Sequence, residues 1–379
     1  MKKNSRQFFT GLHIFIGVLF LIASILPSLH PSDWRFTGFS GLIYPYLFLF
    51  FFLSTILKFR NAPIVAVFSC IIIISSYKNI LELFAFNKQV PFSIVKPPNS
   101  IRVLDWNVRT FMPYDVINFD SDKSNYNKIV AEIEKYDPDI ICFQEFFSDF
   151  RNQNQNIKHF YYELGYCYIA TLINNVRKGG QESGAIILSK YPIFNSFKFD
   201  LPEKISTADE TPIGADIVVG KDTIRIITFH MQSFGFLNKE YKDLATIKTQ
   251  ENEVLSATSN LYRKMQYAFR QRGKQVDIFK ERIAESPYPL IICGDLNDVP
   301  HSYAYKTIRA DRKDAFLEKG FGIGKTFTGG RSKFISSLPT LRIDYIFADQ
   351  SFDVQQFKIM DERLSDHLGI ISDLSLSKK

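Results

Sequence analysis

Apolar positions are spread unevenly along the 379-residue chain. Three long apolar runs come first: about Phe8 to Leu29, about Phe39 to Leu57, and a third that begins near Ala62 and fades around Tyr77 to Phe86. A membrane span needs roughly 20 apolar residues. The first two runs reach that length. The third is uninterrupted for only about 15 residues and then meets Lys78 and Glu82, four apart, which can pair on one helix face or mark an interface. The tract 87–100 holds Pro91, Pro97 and Pro98 and reads as a linker. The pattern then changes. Short apolar strands are expected at Ile101–Trp106, Ile140–Phe143, Gly184–Leu188, Ile224–Phe229, Leu290–Cys293 and Arg342–Phe347, and helices over Asn125–Tyr136 and the long stretch Lys239–Ser286. The reading is therefore a membrane anchor over 1–86 with about three transmembrane helices, a linker over 87–100, and one α/β domain over 101–379.

The ends of these strands carry the chemistry. Asn107 follows the first, Glu145 the second, His230 the fourth, and Asp295 and Asn297 the fifth; Asp344 lies in the sixth and Asp366-His367 close the series. Taken singly, each is best read as a turn residue or a satisfied structural histidine. Taken together, they place oxygen donors and imidazoles at strand ends, where α/β folds collect ligands. Hard oxygen donors suit Mg²⁺, Mn²⁺ or Ca²⁺.

Charge divides where hydropathy does. The first hundred residues hold nine basic and two acidic groups, a surplus of +7, and that equals the surplus of the whole chain. The remainder is neutral, so no globally basic surface for nucleic acid is expected there. The four cysteines, Cys70, Cys142, Cys167 and Cys293, show no metal-binding spacing and read as small buried hydrophobes.

The segments LDWNVRTF (104–111), DIICFQEFF (139–147), SGAIILSKYPI (183–193), ITFHMQSF (227–234), IICGDLNDVP (291–300), RIDYIF (342–347) and LSDHLGI (364–370) resemble the endonuclease/exonuclease/phosphatase superfamily, in that family's order. That group includes DNase I-like nucleases, neutral sphingomyelinases and inositol polyphosphate 5-phosphatases. The resemblance covers nearly all of 101–375 and leaves the first hundred residues outside. It implies a four-layer sandwich: two stacked, mainly antiparallel sheets with helices outside. It also implies a divalent-metal-dependent phosphoesterase using water. Glu145 is then the principal metal ligand with Asn107 beside it, and Asp366 supports the metal or the hydrogen-bond network. Asp295 orients or deprotonates the water, Asn297 and His230 contact the phosphate, and His367, oriented by Asp344, binds or protonates it. His230 stands where abasic-site endonucleases of the family usually have Tyr, and Arg109 where they tend to have an acid, so a DNA-repair reading is disfavoured. GDLNDVP and LRIDYIF lack the extensions of the 5-phosphatase branch.

The expected partners are a phosphate-ester substrate, lipid or small molecule ahead of nucleic acid, and the lipid bilayer; the sequence names no protein partner. A DNase I-like endonuclease acting on DNA or RNA is the alternative, and a catalytically inactive membrane protein of the same fold a second. An inactive chain would be expected to lack some of Asn107, Glu145, Asp295, Asn297 and His367, and all are present. Lys2, Lys3 and Arg6 precede the first run, a single Arg35 follows it, and Lys58 and Arg60 follow the second. The positive-inside rule then expects the N-terminus in the cytoplasm and, after a third crossing, the catalytic domain outside the cytoplasmic membrane.

Overall fold

A computed structural model of the protein describes residues 2–112, 124–149, 155–177, 181–199, 201–202, 211–235, 251–329 and 337–377. Helices α1 (Lys2–Ile25) and α2 (Thr37–Asn61) are each long and apolar enough to cross a membrane. The third apolar run forms α3 (Pro63–Ser75) and α4 (Tyr77–Leu83), bent by 64° where they meet. The bend falls where polar residues enter the run, so the third run is a broken pair of helices rather than one straight span. Polar side chains help to tie these helices together. His13 on α1 lies 2.8 Å from Ser54 on α2 and 2.8 Å from Ser69 on α3.

The helix ends are sorted. Arg6 donates to the Asn61 carbonyl and Lys58 to Thr10 at 3.1 Å, so the basic start of α1 and the basic end of α2 lie together. At the other end Asn79 donates to the Ser24 carbonyl at 3.2 Å, and Ser24 lies 3.3 Å from Ser76. The α/β domain sits at that second end. His30, beyond α1, is 3.3 Å from Asp277, and Phe39, near the start of α2, stacks on Tyr262.

The segment 87–100 has no regular structure but is fastened to the domain. Asn87 donates to the Leu317 and Gly320 carbonyls at 2.8 and 3.0 Å, and Lys96 pairs with Asp139 at 2.6 Å. Beyond it lie two six-stranded sheets. One has the order β13 (Phe352–Ile359), β14 (Ile370–Leu376), β2 (Ile101–Asn107), β3 (Ile140–Asp149), β5 (Gln181–Ser189), β4 (Tyr168–Arg177). The other runs β10 (Lys313–Asp314), β12 (Asp344–Ala348), β9 (Leu290–Asp295), β8 (Asp222–His230), β7 (Ile213–Val219), β6 (Ile193–Lys198). Each sheet is antiparallel except for one central parallel pair, β2–β3 in the first and β8–β9 in the second. A small ribbon joins β1 (Ala85–Phe86) to β11 (Phe321–Gly322).

Side-chain alternation sorts each strand between two environments. Val103, Cys142, Ile187, Ile226, Ile291, Cys293 and Ile346 point between the sheets and form the central core. Leu104, Trp106, Ile141 and Phe143 point outward under α5 (Tyr126–Tyr136) and α6 (Gln155–Tyr162). Ile227, Phe229, Ile292 and Phe347 point outward under α7 (Glu251–Ala284) and α8 (Tyr303–Arg309). The result is helix, sheet, sheet, helix. The expected helix over Lys239–Ser286 is seen as α7, its first part lying outside the described residues.

Candidate active site

The inward parity that makes the central core also makes the site. Following β2 inward gives Val103, Asp105, Asn107; following β8, Ile226, Thr228, His230; following β9, Ile291, Cys293, Asp295. The inter-sheet layer is thus apolar at depth and polar at one edge. β2, β8 and β9 end at that edge and β3 crosses it, whereas β12 and β14 run antiparallel to their neighbours and begin there. Asp344 therefore opens β12 and Asp366-His367 precede β14, and all three still reach the same edge. The sixth strand starts at Asp344, not at Arg342.

Glu145 is placed by a defect. It lies within β3, and the register against β5 slips between Phe143 and Phe146. Glu145 itself has φ 51°, in the left-handed region that non-glycine residues occupy at a cost of about 1–3 kcal/mol. The bulge lets Gln144 and Glu145 both serve the inter-sheet side, which strict alternation forbids. Gln144 bridges Asp105 and Thr228 at 2.8 Å each, one layer below the site. Asp105 is fully enclosed there, and burial raises its pKa well above the ordinary carboxylate range. Gly294 is required at the end of β9: its φ is 145°, and a Cβ would lie 2.0 Å from the Phe229 carbonyl oxygen.

Asp295 is the hub. Its Oδ1 accepts the Asn297 backbone N–H at 2.8 Å. Its Oδ2 accepts the side-chain amides of Asn107 and Asn297, each at 3.2 Å. Two imidazoles flank the same oxygen, His367 Nε2 at 3.5 Å and His230 Nε2 at 3.6 Å. The Asn107 amide also donates to Glu145 Oε1 at 3.1 Å, which joins the two carboxylates through one side chain. Asn297, at φ 54°, is fixed by donating to the Met231 carbonyl at 3.0 Å. His367 donates Nδ1–H to Asp344, 2.9 and 3.0 Å from its two oxygens, and its carbonyl accepts Trp106 Nε1–H at 3.0 Å.

Electrostatics follow from this packing. Burial disfavours a charged His367, but Asp344 and then Asp295 outweigh it and hold the ring well above its ordinary pKa. Burial raises the Asp295 pKa, against the pull of His367. Asp295, Asp344 and His367 are also close enough to hold a cation among them. Asp366 stands apart: it lies 3.5 Å from Arg109 and accepts Ser365 Oγ–H at 3.2 Å, while Ser365 is also 2.9 Å from the Asn107 carbonyl. All eight residues singled out in the sequence thus come to one edge: Asp295, six around it, and Asp366 at its rim. The supports Gln144, Ser365 and Trp106 were not singled out, although each adjoins or lies within one of the motifs. Of the cysteines, Cys142 and Cys293 are buried as expected, Cys70 is partly so, and Cys167 is exposed, contrary to expectation.

A family model described as Endonuclease/Exonuclease/phosphatase family matches residues 106–367, and one described as a domain of unknown function (DUF8431) matches residues 6–83. No curated protein matches the chain. Among solved structures, an endonuclease/exonuclease/phosphatase from Beutenbergia cavernae DSM 12333 superposes with a TM-score of 0.54 at 19% identity, over 74% of this chain and 72% of that one. The human Nocturnin catalytic domain with bound sulfate anion gives 0.49 at 18% identity, over 75% and 97%. The mannosyl-6-phosphatase Bt3783 of Bacteroides thetaiotaomicron VPI-5482 gives 0.49 at 16% identity, over 73% and 100%. With a family model spanning more than half of the chain and a shared two-sheet fold, this protein belongs to the endonuclease/exonuclease/phosphatase family.

Proposed function

We propose that the protein is a membrane-anchored, divalent-metal-dependent phosphoesterase that hydrolyses a lipid or small-molecule phosphate ester. The observation that carries the reading is the convergence on Asp295 of two imidazoles and two amides, with Glu145 joined to it through Asn107. The donor set fits a hard cation, because carboxylates gather at this edge without a thiolate. Glu145 and Asn107 would hold Mg²⁺ (or Mn²⁺ or Ca²⁺), with Asp366 in support. When bound, such a cation neutralises phosphate charge and lowers the pKa of coordinated water.

The remaining roles belong to the chain's own groups. Asp295, anionic beside two imidazoles, orients the attacking water and accepts its proton. Asn297 and His230 donate to phosphate oxygens, His230 through the Nε2 that lies 3.6 Å from Asp295. His367, kept charged by Asp344, donates to the phosphate or protonates the leaving oxygen.

Two features favour a substrate at the bilayer. Leu42 on α2 packs with Val299, Leu341, Ile343 and Phe327, and the Phe327 ring stands edge-on to His367. The rim of the site thus abuts a helix long enough to span. The α/β domain also lacks a net positive charge. A nuclease remains the second reading, since a neutral domain can still bind DNA through a local patch. The domain lies at the helix ends opposite Arg6, Lys58 and Arg60, and the positive-inside rule sets that basic end in the cytoplasm and the domain outside. The test is a hydrolysis panel with the full chain in detergent or nanodiscs. It compares phospholipid vesicles, soluble phosphodiesters, plasmid DNA and RNA, each with Mg²⁺, Mn²⁺, Ca²⁺ or EDTA. Metal-dependent turnover of vesicles or small esters is expected; turnover of nucleic acid alone would transfer the assignment to the second reading.

A further inference from the structure

The sequence reads the apolar helices as a tether, yet they reach the two segments that carry the site. The contact centres on Glu82, near the end of α4 and buried. It does not pair with Lys78, which is exposed. Its Oε2 lies 3.2 Å from His301 Nδ1, and Lys306 and Arg309 approach its carboxylate at 3.9 Å each. Its backbone carbonyl accepts Arg342 Nη2–H at 2.8 Å, while Arg342 Nη1 donates to Asp314 at 2.6 Å.

Each partner leads directly to the site. His301 lies four residues beyond Asn297, at φ 64°, in a loop whose Leu296 N–H donates to the Ile343 carbonyl at 2.8 Å. The other nitrogen of His301 donates to the Ala23 carbonyl at 3.0 Å, at the end of α1. The ring thus sits between the Glu82 carboxylate and the Ala23 carbonyl, tied to α4 on one side and α1 on the other. Its plane lies against Tyr44 on α2, ring centres 3.9 Å apart. Arg342 is two residues before Asp344, the partner of His367. On the same face, a Cβ at Gly41 of α2 would come within 3.1 Å of Val299 Cγ2 and 3.2 Å of the His301 carbonyl oxygen. Helix backbone is therefore seated closely on the loop, and a side chain here would press on Val299 and His301.

We propose that Glu82, with Gly41, is a positioning element of the active site, so that the helical segment is part of the catalytic unit rather than a tether to it. Neither residue touches the reacting atoms. Glu82 clamps His301 and Arg342 at once, and so fixes the loop bearing Asn297 and the strand entry bearing Asp344 relative to each other. Sites of this kind lose activity through small displacements of their supports.

The test uses the full chain in nanodiscs, with Glu82→Gln, Glu82→Ala and Gly41→Leu. One arm needs no activity: hydrogen exchange of residues 294–302 and 340–346 against that of β13 and β14, which hold none of the Glu82 partners named above. The expected result is exchange about tenfold faster or more in the two site segments, with β13 and β14 unchanged. The second arm rests on the phosphoesterase reading: kcat on bis-p-nitrophenyl phosphate should fall about tenfold or more with KM within about threefold. Unchanged exchange in the site segments would overturn the proposal, as would acceleration shared equally by β13 and β14, which marks a general loss of stability. Glu82→Gln, the mildest variant, decides if the others unfold. A wild-type protein inactive on every ester would defeat the functional reading and leave the exchange comparison to decide this one.

Discussion

Replacing Asp344 with Asn tests the logic of the site by removing one charge and little volume. The His367 ring is buried, so its charged form needs attraction that exceeds a desolvation cost of several kcal/mol. At an effective dielectric constant of about 20, a unit charge 2.9 Å away contributes about 6 kcal/mol, and one 3.5 Å away about 5 kcal/mol. With both Asp344 and Asp295 the ring stays protonated; with Asp295 alone the terms nearly balance and the ring becomes neutral near pH 7. The wild-type pKa is raised in the fold. The stabilisation it brings is therefore fully present below the ordinary value of 6.5 and is lost as pH rises through the raised folded value. The variant should consequently be less stable than wild type by about 3–5 kcal/mol below pH 6.5, with the gap narrowing at alkaline pH. The assay is ¹⁵N-histidine NMR of the full chain in EDTA across pH 5–10, with kcat measured beside it in the presence of metal. A drop in the His367 pKa with loss of about 10²-fold in kcat is expected. A ring that titrates as in wild type, with kcat within a few-fold, would refute the assignment of Asp344 as its partner.

Other substitutions separate the remaining roles. Asp295→Asn and His367→Ala should each lower kcat by about 10²-fold or more with little change in KM, because both act on charge that develops in the transition state; steady-state kinetics decide, and a few-fold effect means the role is misassigned. His230→Tyr should lose most activity, since the phenol cannot reproduce the imidazole beside Asp295; near-wild-type turnover would restore the repair-type enzymes as a comparison. A reporter fused after Asn99 should be active as alkaline phosphatase and dark as GFP, whereas bright GFP there would place the domain in the cytoplasm.

The sheet interior was legible because its strands are short apolar runs ending in polar residues. Ile140–Phe143 and Leu290–Cys293 give themselves away by composition alone. Strands such as β6, half exposed as Ile193–Lys198, and β13, which alternates Phe352, Asp353, Val354, carry no such run and went unseen. Their places come from pairing with β7 and β14, which is tertiary information. At the site, residue identities were readable, and their convergence follows from inward parity and strand direction. The bulge at Glu145 was not readable, because a single slipped register leaves no pattern in composition. Nor was the Glu82 clamp: the spacing of Lys78 and Glu82 suggested a local pair or an interface marker, and Glu82 instead meets partners more than two hundred residues away.

The central claim is that Glu145 holds the cation on which hydrolysis depends. The direct measurement is Mg²⁺ or Mn²⁺ affinity by isothermal titration of the full chain, wild type against Glu145→Gln, with turnover of a phosphate ester followed in parallel. Gln keeps the size and the bulge but removes the charge facing Asn107. The account predicts that the metal isotherm weakens by at least about tenfold, that turnover falls with it, and that EDTA abolishes wild-type turnover. Metal affinity and turnover both unchanged in Glu145→Gln, or wild-type turnover that persists in EDTA, would contradict it.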